Sequence, residues 1–224
     1  LLRTNLPTLV DALSRHTAVR DLAMTTNGVL LSAAARGLRD AGLHRLTVSL
    51  DTLRPERFKA LTRYDELDRV LEGIDVASQV FDGLKIDTVV LKGTNDDELV
   101  DIIEFGRQTR GEVRFIEYMD VGNRNDWRPG LVVPSQELRD RIAAAWPLEP
   151  VAPAQAGEVA ERYAYADGAG EIGFISSVTQ PFCGGCTRAR ISSDGVFYTC
   201  LFATAGTDFR AALRAGSSDE EIRR

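Results

Sequence analysis

The spacing of apolar positions changes repeatedly along the chain, and each change marks where one element ends and another begins. Asp21 to Thr26 is a short strand-like run closed by the turn signal Thr25-Thr26-Asn27-Gly28. Leu30, Leu31, Ala34, Ala35 and Leu38 then recur at helical spacing. Arg45 to Leu50 repeats the strand pattern. Asp51, Thr52 and Pro55 supply helix-start chemistry, and helical patterns fill Arg54 to Leu61 and Leu67 to Val80. Lys85 to Leu91 reads as a third strand, Asn95-Asp96-Asp97 as the cap of a helix reaching about Arg107, and Val113 to Tyr118 as a fourth strand. Strands each followed by a helix or loop, with no meander, predict parallel pairing with helices outside. The α/β class follows, as either a barrel-like (β/α) array or a doubly wound sheet, and both gather ligands at the carboxyl ends of their strands.

After Trp127-Arg-Pro129-Gly the pattern changes. Ser135 to Trp146 is helical and stops at Pro147, and Pro150 to Ala156 reads as a linker or loop. Val159 to Tyr165 and Ile172 to Ile175 flank Asp167-Gly-Ala-Gly170 as a hairpin, and a cysteine-bearing segment follows as a cap. The division falls near residue 130, with an α/β array over 1–130 and a C-terminal region over 131–224.

Composition narrows the class. The 224 residues are 44% hydrophobic, 27% charged and 7% aromatic, which is globular usage. A net charge of −6 argues against non-specific nucleic-acid binding. No apolar run approaches the roughly 18 residues of a membrane span. Three cysteines is an odd number that an oxidising compartment would leave partly unpaired, so a reducing cytoplasm is expected. The chain starts at Leu1 and stops at Ile222-Arg223-Arg224 in mid-pattern, and it reads as the interior of a longer protein.

Candidate chemistry concentrates in two places. Cys183-Gly-Gly-Cys186-Thr-Arg188-Ala189-Arg190 is followed by Cys200 after thirteen intervening positions, a metal-site spacing. His16 and His44 lie far away in sequence, so a closed zinc site lacks an obvious fourth ligand. A [4Fe–4S] cube held by three cysteines suits the count better; structural zinc and plain thiols stay open. If Thr187 to Ser192 is extended, Arg188 and Arg190 share a face beside the cysteines and can grip phosphate, the alternative being a solvated pair. The second place is the carboxyl ends of the strands, with Thr25-Thr26-Asn27, Ser49-Leu-Asp51 and Glu117-Tyr-Met119-Asp120. Any one set alone is a cap or turn; three at equivalent places face a common mouth. Lys85 opens its strand, and by pattern it is a surface lysine.

Taken in order, Thr-Thr-Asn-Gly, Val-Ser-Leu-Asp, Lys-Gly-Thr-Asn-Asp-Asp-Glu, Arg-Phe-Ile-Glu-Tyr-Met-Asp-Val-Gly-Asn and Phe-Cys-x-x-Cys-Thr-Arg-Ala-Arg-x-Ser-x-Asp-Gly resemble the GTP 3′,8-cyclases. These are radical S-adenosylmethionine (SAM) lyases that open molybdenum-cofactor biosynthesis. The resemblance implies an incomplete (β/α) barrel with a C-terminal cap carrying a second iron–sulfur cluster. It assigns Cys183, Cys186 and Cys200 to that [4Fe–4S] cluster. It assigns Thr25, Lys85, Arg188, Ala189 and Arg190 to GTP, overriding the surface reading of Lys85, and Ser49 and Met119 to S-adenosylmethionine. It implies two [4Fe–4S] clusters, of which only the C-terminal one is ligated within this chain. The implied reaction abstracts hydrogen from C3′ of GTP and joins C3′ to C8, giving (8S)-3′,8-cyclo-7,8-dihydroguanosine 5′-triphosphate for cyclic pyranopterin monophosphate synthase. A homodimer is also implied, with no nucleic-acid or membrane partner. The family's Cys-x-x-x-Cys-x-x-Cys loop, a Gly-Gly-Glu-Pro directly before the position of Leu1, and a tail ending in Gly-Gly fall outside the sequence. Two alternatives remain: another radical SAM enzyme with an auxiliary cluster, and a zinc-stapled, non-catalytic α/β protein.

Overall fold

A computed structural model describes residues 3–121, 127–154 and 157–223; residues 1–2, 122–126, 155–156 and 224 lie outside the described residues. A helix that the pattern did not single out, α1 (Leu6–Ser14), comes first, with Pro7 in its first turn. The four expected strands follow as β1 (Ala23–Thr26), β2 (Arg45–Ser49), β3 (Leu84–Val90) and β4 (Glu112–Glu117), all paired in parallel in that order. Between them lie α2 (Leu31–Asp40), α3 (Pro55–Thr62), α4 (Leu67–Ser78) and α5 (Leu99–Gln108). Then come α6 (Ser135–Ala143), β5 (Leu148–Val151), β6 (Glu161–Tyr165) and β7 (Glu171–Ile175).

Strict alternation in the strands decides which face is covered. In β3, Leu84, Ile86, Thr88 and Val90 are buried, while Lys85, Asp87 and Val89 are half-buried. The register carries this across the sheet: Val48, Ile86, Val113 and Ile172 form one row, and Thr88, Phe115 and Phe174 another. These rows share one core with Leu31 and Leu38 of α2, Ile74 of α4, Ile102 and Ile103 of α5, and Leu138 of α6. Each such side chain contributes about 1.5–3 kcal/mol when fully buried. The other face is polar. Thr25, Thr47, Lys85 and Glu112 stand in one row, and Ser49, Asp87, Arg114 and Gly173 in the next. A doubly wound sheet buries both faces under helices. Here the core lies on one face, and the sheet is the barrel-like alternative: part of a (β/α) barrel with its inner wall exposed.

The hairpin is present, because β6 pairs antiparallel with β7, but β7 also pairs in parallel with β4, so the sheet runs on past residue 130. Its order among the described residues is β1-β2-β3-β4-β7-β6-β5. Three expectations need correction. Pro150 and Val151 belong to β5, opposite Tyr163 and Arg162, instead of to a loop. Proline is tolerated there because β5 is an edge strand, where one missing N–H leaves no inner ladder broken. Asn95-Asp96-Asp97 does not cap α5, whose N-cap is Glu98. Asn95 instead donates to the carbonyls of Asp51 and Val89 and accepts from the Leu91 N–H, tying three chain ends together. The helix expected to reach Trp146 ends at Ala143, although the Trp146 N–H still reaches the Ile142 carbonyl.

The C-terminal portion holds elements too short for periodicity to reveal. Strands β8 (Arg190–Ile191), β9 (Val196–Tyr198) and β10 (Thr207–Asp208) form a small antiparallel sheet, followed by α7 (Phe209–Arg214) and α8 (Asp219–Arg223). Phe197 and Phe209 stack at 4.9 Å with their planes 6° apart, pinning α7 to this sheet.

Candidate functional site

Between Cys183 and Cys186 the chain closes a turn in which the Cys186 N–H donates to the Cys183 carbonyl at 3.2 Å. With Cys200 returning on the segment after β9, the three cysteines meet at one cavity of about 90 Å³ that Arg188, Arg190 and Met119 also line. Phe182, Leu201 and Phe202 give it apolar walls. All three thiols are exposed and unbridged.

Nitrogen donors surround the sulfurs. Nε and Nη2 of Arg188 donate to Cys186 Sγ at 3.3 and 3.2 Å, and the Phe202 N–H donates to Cys200 Sγ at 3.4 Å. The Arg188 backbone N–H, then its guanidinium, hold the Cys186 thiol below its usual range. The same guanidinium lies 4.5 Å from the centre of the Phe182 ring. Arg190 Nη1 is buried with no hydrogen-bond partner, an orphaned donor that an anionic ligand would satisfy. Ala189, between them, is exposed.

This donor set fits an iron–sulfur cluster better than a zinc ion. Among the described residues no three His, Cys, Asp or Glu side chains stand close enough to hold one metal ion. A cube takes each cysteine at a different iron and needs no such convergence. The histidines are engaged elsewhere: His44 Nδ1 accepts from the Leu22 N–H and His16 Nδ1 from the Ala18 N–H.

The carboxyl ends of the strands behave unevenly. Ser49 and Asp51 line a second cavity of about 240 Å³ with Asn27, Phe58 and Tyr64. Met119 and Ser49, both expected at one ligand, therefore line different cavities. Asp51 accepts from the Val89 N–H at 2.8 Å, and burial pushes its carboxyl up. Asn27 accepts from Val29 and Thr26 from Gly28, so these two close the turn before α2. That turn requires Gly28, whose φ is +81°.

Thr25 and Lys85 share a row of the polar inner face. Lys85 is 14% exposed and bonds Glu112 at 2.6 Å, so it is no ordinary surface lysine. Beside it Arg114 grips Asp87 through two bonds of 2.7 and 3.0 Å. Sequence reasoning missed Glu112, Asp87 and Arg114, although charged residues alternating with buried apolar ones in β3 and β4 were the available signal.

Residues 1–106 match the Radical SAM superfamily, and residues 111–224 match the Molybdenum Cofactor Synthesis C family. The chain belongs to the Molybdenum Cofactor Synthesis C family. It is 52% identical over 218 residues to a GTP 3′,8-cyclase of Xanthomonas campestris pv. campestris (strain B100), covering 96% of this chain and 64% of that protein. It is 50% identical over 224 residues to the GTP 3′,8-cyclase of Acidothermus cellulolyticus, covering 99% and 62%. It is 44% identical over 228 residues to GTP 3′,8-cyclase 1 of Mycobacterium tuberculosis (strain CDC 1551 / Oshkosh), covering 99% and 63%. The chain thus spans a little under two thirds of the length of the curated relatives it matches.

Proposed function

We propose that this chain serves in a radical S-adenosylmethionine GTP 3′,8-cyclase, a lyase that converts GTP to its 3′,8-cyclised dihydro form. The observation that carries the reading is the cavity where Cys183, Cys186 and Cys200 meet Arg188 and Arg190. Supporting it are the names of the relatives and the two matched families.

In this reading the three cysteines hold a [4Fe–4S] cluster. When bound, that cluster supplies an iron with an open position to which a guanine ring can be oriented. A second, SAM-binding cluster takes its ligands from outside these residues, since the chain holds three cysteines. Residues 1–130 supply the first four strands of the barrel wall, and 131–224 hold the cluster-binding region along with β5 to β7, which continue the same sheet. Arg188 and the unsatisfied Arg190 clamp the triphosphate, with Ala189 between them; Thr25 and Lys85 reach the nucleotide from the inner face. Ser49 holds S-adenosylmethionine at the end of β2, and Met119, which lines the cysteine cavity just past β4, meets it from the nucleotide side. Phe182, Leu201 and Phe202 offer the nucleotide apolar walls, and the rest of the protein's share is placement at near 3–3.5 Å. The protein acts in the cytoplasm as a homodimer and hands its product to cyclic pyranopterin monophosphate synthase.

Anaerobic metal analysis of the Cys183→Ser, Cys186→Ser and Cys200→Ser variants tests the reading. Each is expected to lose one cluster's worth of iron and acid-labile sulfide, and with them cyclisation. Stoichiometric zinc in anaerobic wild-type preparations, or full iron in all three variants, overturns it.

A further inference from the structure

Glu117 closes β4 with its side chain 0% exposed, and a buried carboxylate needs a specific set of donors to remain charged. Four donors converge on it. The Ser135 N–H reaches Oε1 at 2.8 Å and the Thr179 hydroxyl reaches it at 2.5 Å; the Val178 and Thr179 N–H groups reach Oε2 at 2.8 Å each. Burial pushes this carboxyl up, but the bonds from Thr179, Ser135 and Val178 outweigh it and hold the group below its usual range.

These partners come from two places. Ser135 opens α6, whereas Val178 and Thr179 belong to the connection leading from β7 into the cysteine segment. Two residues after Glu117, Met119 lines the cysteine cavity, and Ser177, beside the clamped amides, lines it as well. One carboxylate therefore joins the strand end that leads to Met119 to the connection that carries Ser177, two segments that line the same cavity.

We propose that Glu117 is a positioning residue that sets the cysteine segment over the carboxyl end of β4. It touches neither sulfur nor guanidinium; it acts through the Ser176–Thr179 connection. The proposal deepens the GTP-site reading above and rests on it only for its consequence on GTP. Replacement by glutamine keeps the shape but presents an NH2 group where an oxygen accepts N–H bonds, so at least one donor loses its partner.

The experiment compares wild type, Glu117→Gln and Thr179→Val, the last removing only the hydroxyl bond. Limited trypsin digestion of the metal-free protein is followed by mass spectrometry. Cleavage after Arg188 is expected to speed up at least tenfold in Glu117→Gln and several-fold in Thr179→Val, with cleavage after Arg36 and Arg69 in α2 and α4 unchanged. Unchanged cleavage after Arg188 in Glu117→Gln, or acceleration equal at all three arginines, overturns the proposal. After anaerobic reconstitution, Glu117→Gln is expected to retain its iron–sulfur absorption while binding GTP at least tenfold more weakly; wild-type GTP affinity in that variant also overturns it. Wild type that takes up no iron and binds no GTP sinks the cyclase reading instead, leaving the proteolysis result to decide the role of Glu117.

Discussion

The buried, unpartnered Nη1 of Arg190 carries a cost of about 1–3 kcal/mol that an anionic oxygen relieves. In the cyclase reading Arg190→Ala therefore weakens GTP binding by about 1.5–3 kcal/mol, measured by calorimetry on reconstituted protein with its iron retained. Unchanged affinity makes this arginine a structural group of the small sheet. Two carboxylates give the chain opposed pH responses. Folding lowers the pKa of Glu117 below its ordinary 4.5, so its stabilisation is complete above about 4.5 and fades as pH falls through the lower folded value. Asp51 is raised above 3.8, so its ionised form costs stability above the raised value and nothing well below it. Asp51→Asn is expected to raise the urea midpoint at pH 7 and to leave it unchanged in acid; a lower midpoint at pH 7 assigns Asp51 a favourable charge instead. The cysteines and their arginines were legible in the sequence because those residue types at that spacing have few uses. The partners of Glu98 were not: its oxygens take the Thr52 hydroxyl at 2.6 Å and the Leu53 N–H at 2.8 Å, across more than forty positions. No local pattern carries a bond of that reach.

At the scale of elements, the packing of α2 against α4 depends on a position without a side chain. A Cβ on Gly73 would lie 2.7 Å from the Gly28 carbonyl oxygen and 3.0 Å from Leu31 Cβ, and the first of these is backbone that cannot rotate away. Gly73→Ala is expected to cost about 1–3 kcal/mol in urea unfolding, the range for overpacking a tight contact, although alanine favours the helix itself. A neutral or stabilising result means the two helices separate freely. Helices α2 to α6 and strands β1 to β4 were legible because each is long enough to show its period and buries one face. Strands β8 and β10, of two residues each, have no period to show. Strand β5 was obscured by Pro150, which signals a break unless the strand is known to lie at an edge. That knowledge belongs to the sheet and not to the segment.

The whole molecule decided between the two architectures that the sequence left open. Alternation in β3 and β4 announces one apolar and one polar face, but only the register shows that Lys85, Asp87, Glu112 and Arg114 fall on the same side and that the core lies on the other. A charged inner wall of this kind is a place for a polar ligand, and Lys85 is its test. Its ammonium is held by Glu112 at 2.6 Å, with Glu112 Oε1 buried and lacking a hydrogen-bond partner. Lys85→Met keeps the stem and removes the charge, whereas Glu112→Gln keeps the lysine and loosens its hold. In the cyclase reading, GTP affinity falls in Lys85→Met and not in Glu112→Gln, while S-adenosylmethionine affinity is near normal in both. In the same reading Met119→Ala reverses the pattern, weakening S-adenosylmethionine and sparing GTP; because Met119 lines the cysteine cavity and Ser49 a different one, loss of GTP in Met119→Ala assigns Met119 to the nucleotide instead. Both affinities are measured by anaerobic calorimetry on protein that carries its clusters. Equal loss of GTP in Lys85→Met and Glu112→Gln makes the pair a structural brace of the inner wall. Loss of S-adenosylmethionine in Lys85→Met with GTP intact reverses the assignment of the two ligands along the strands.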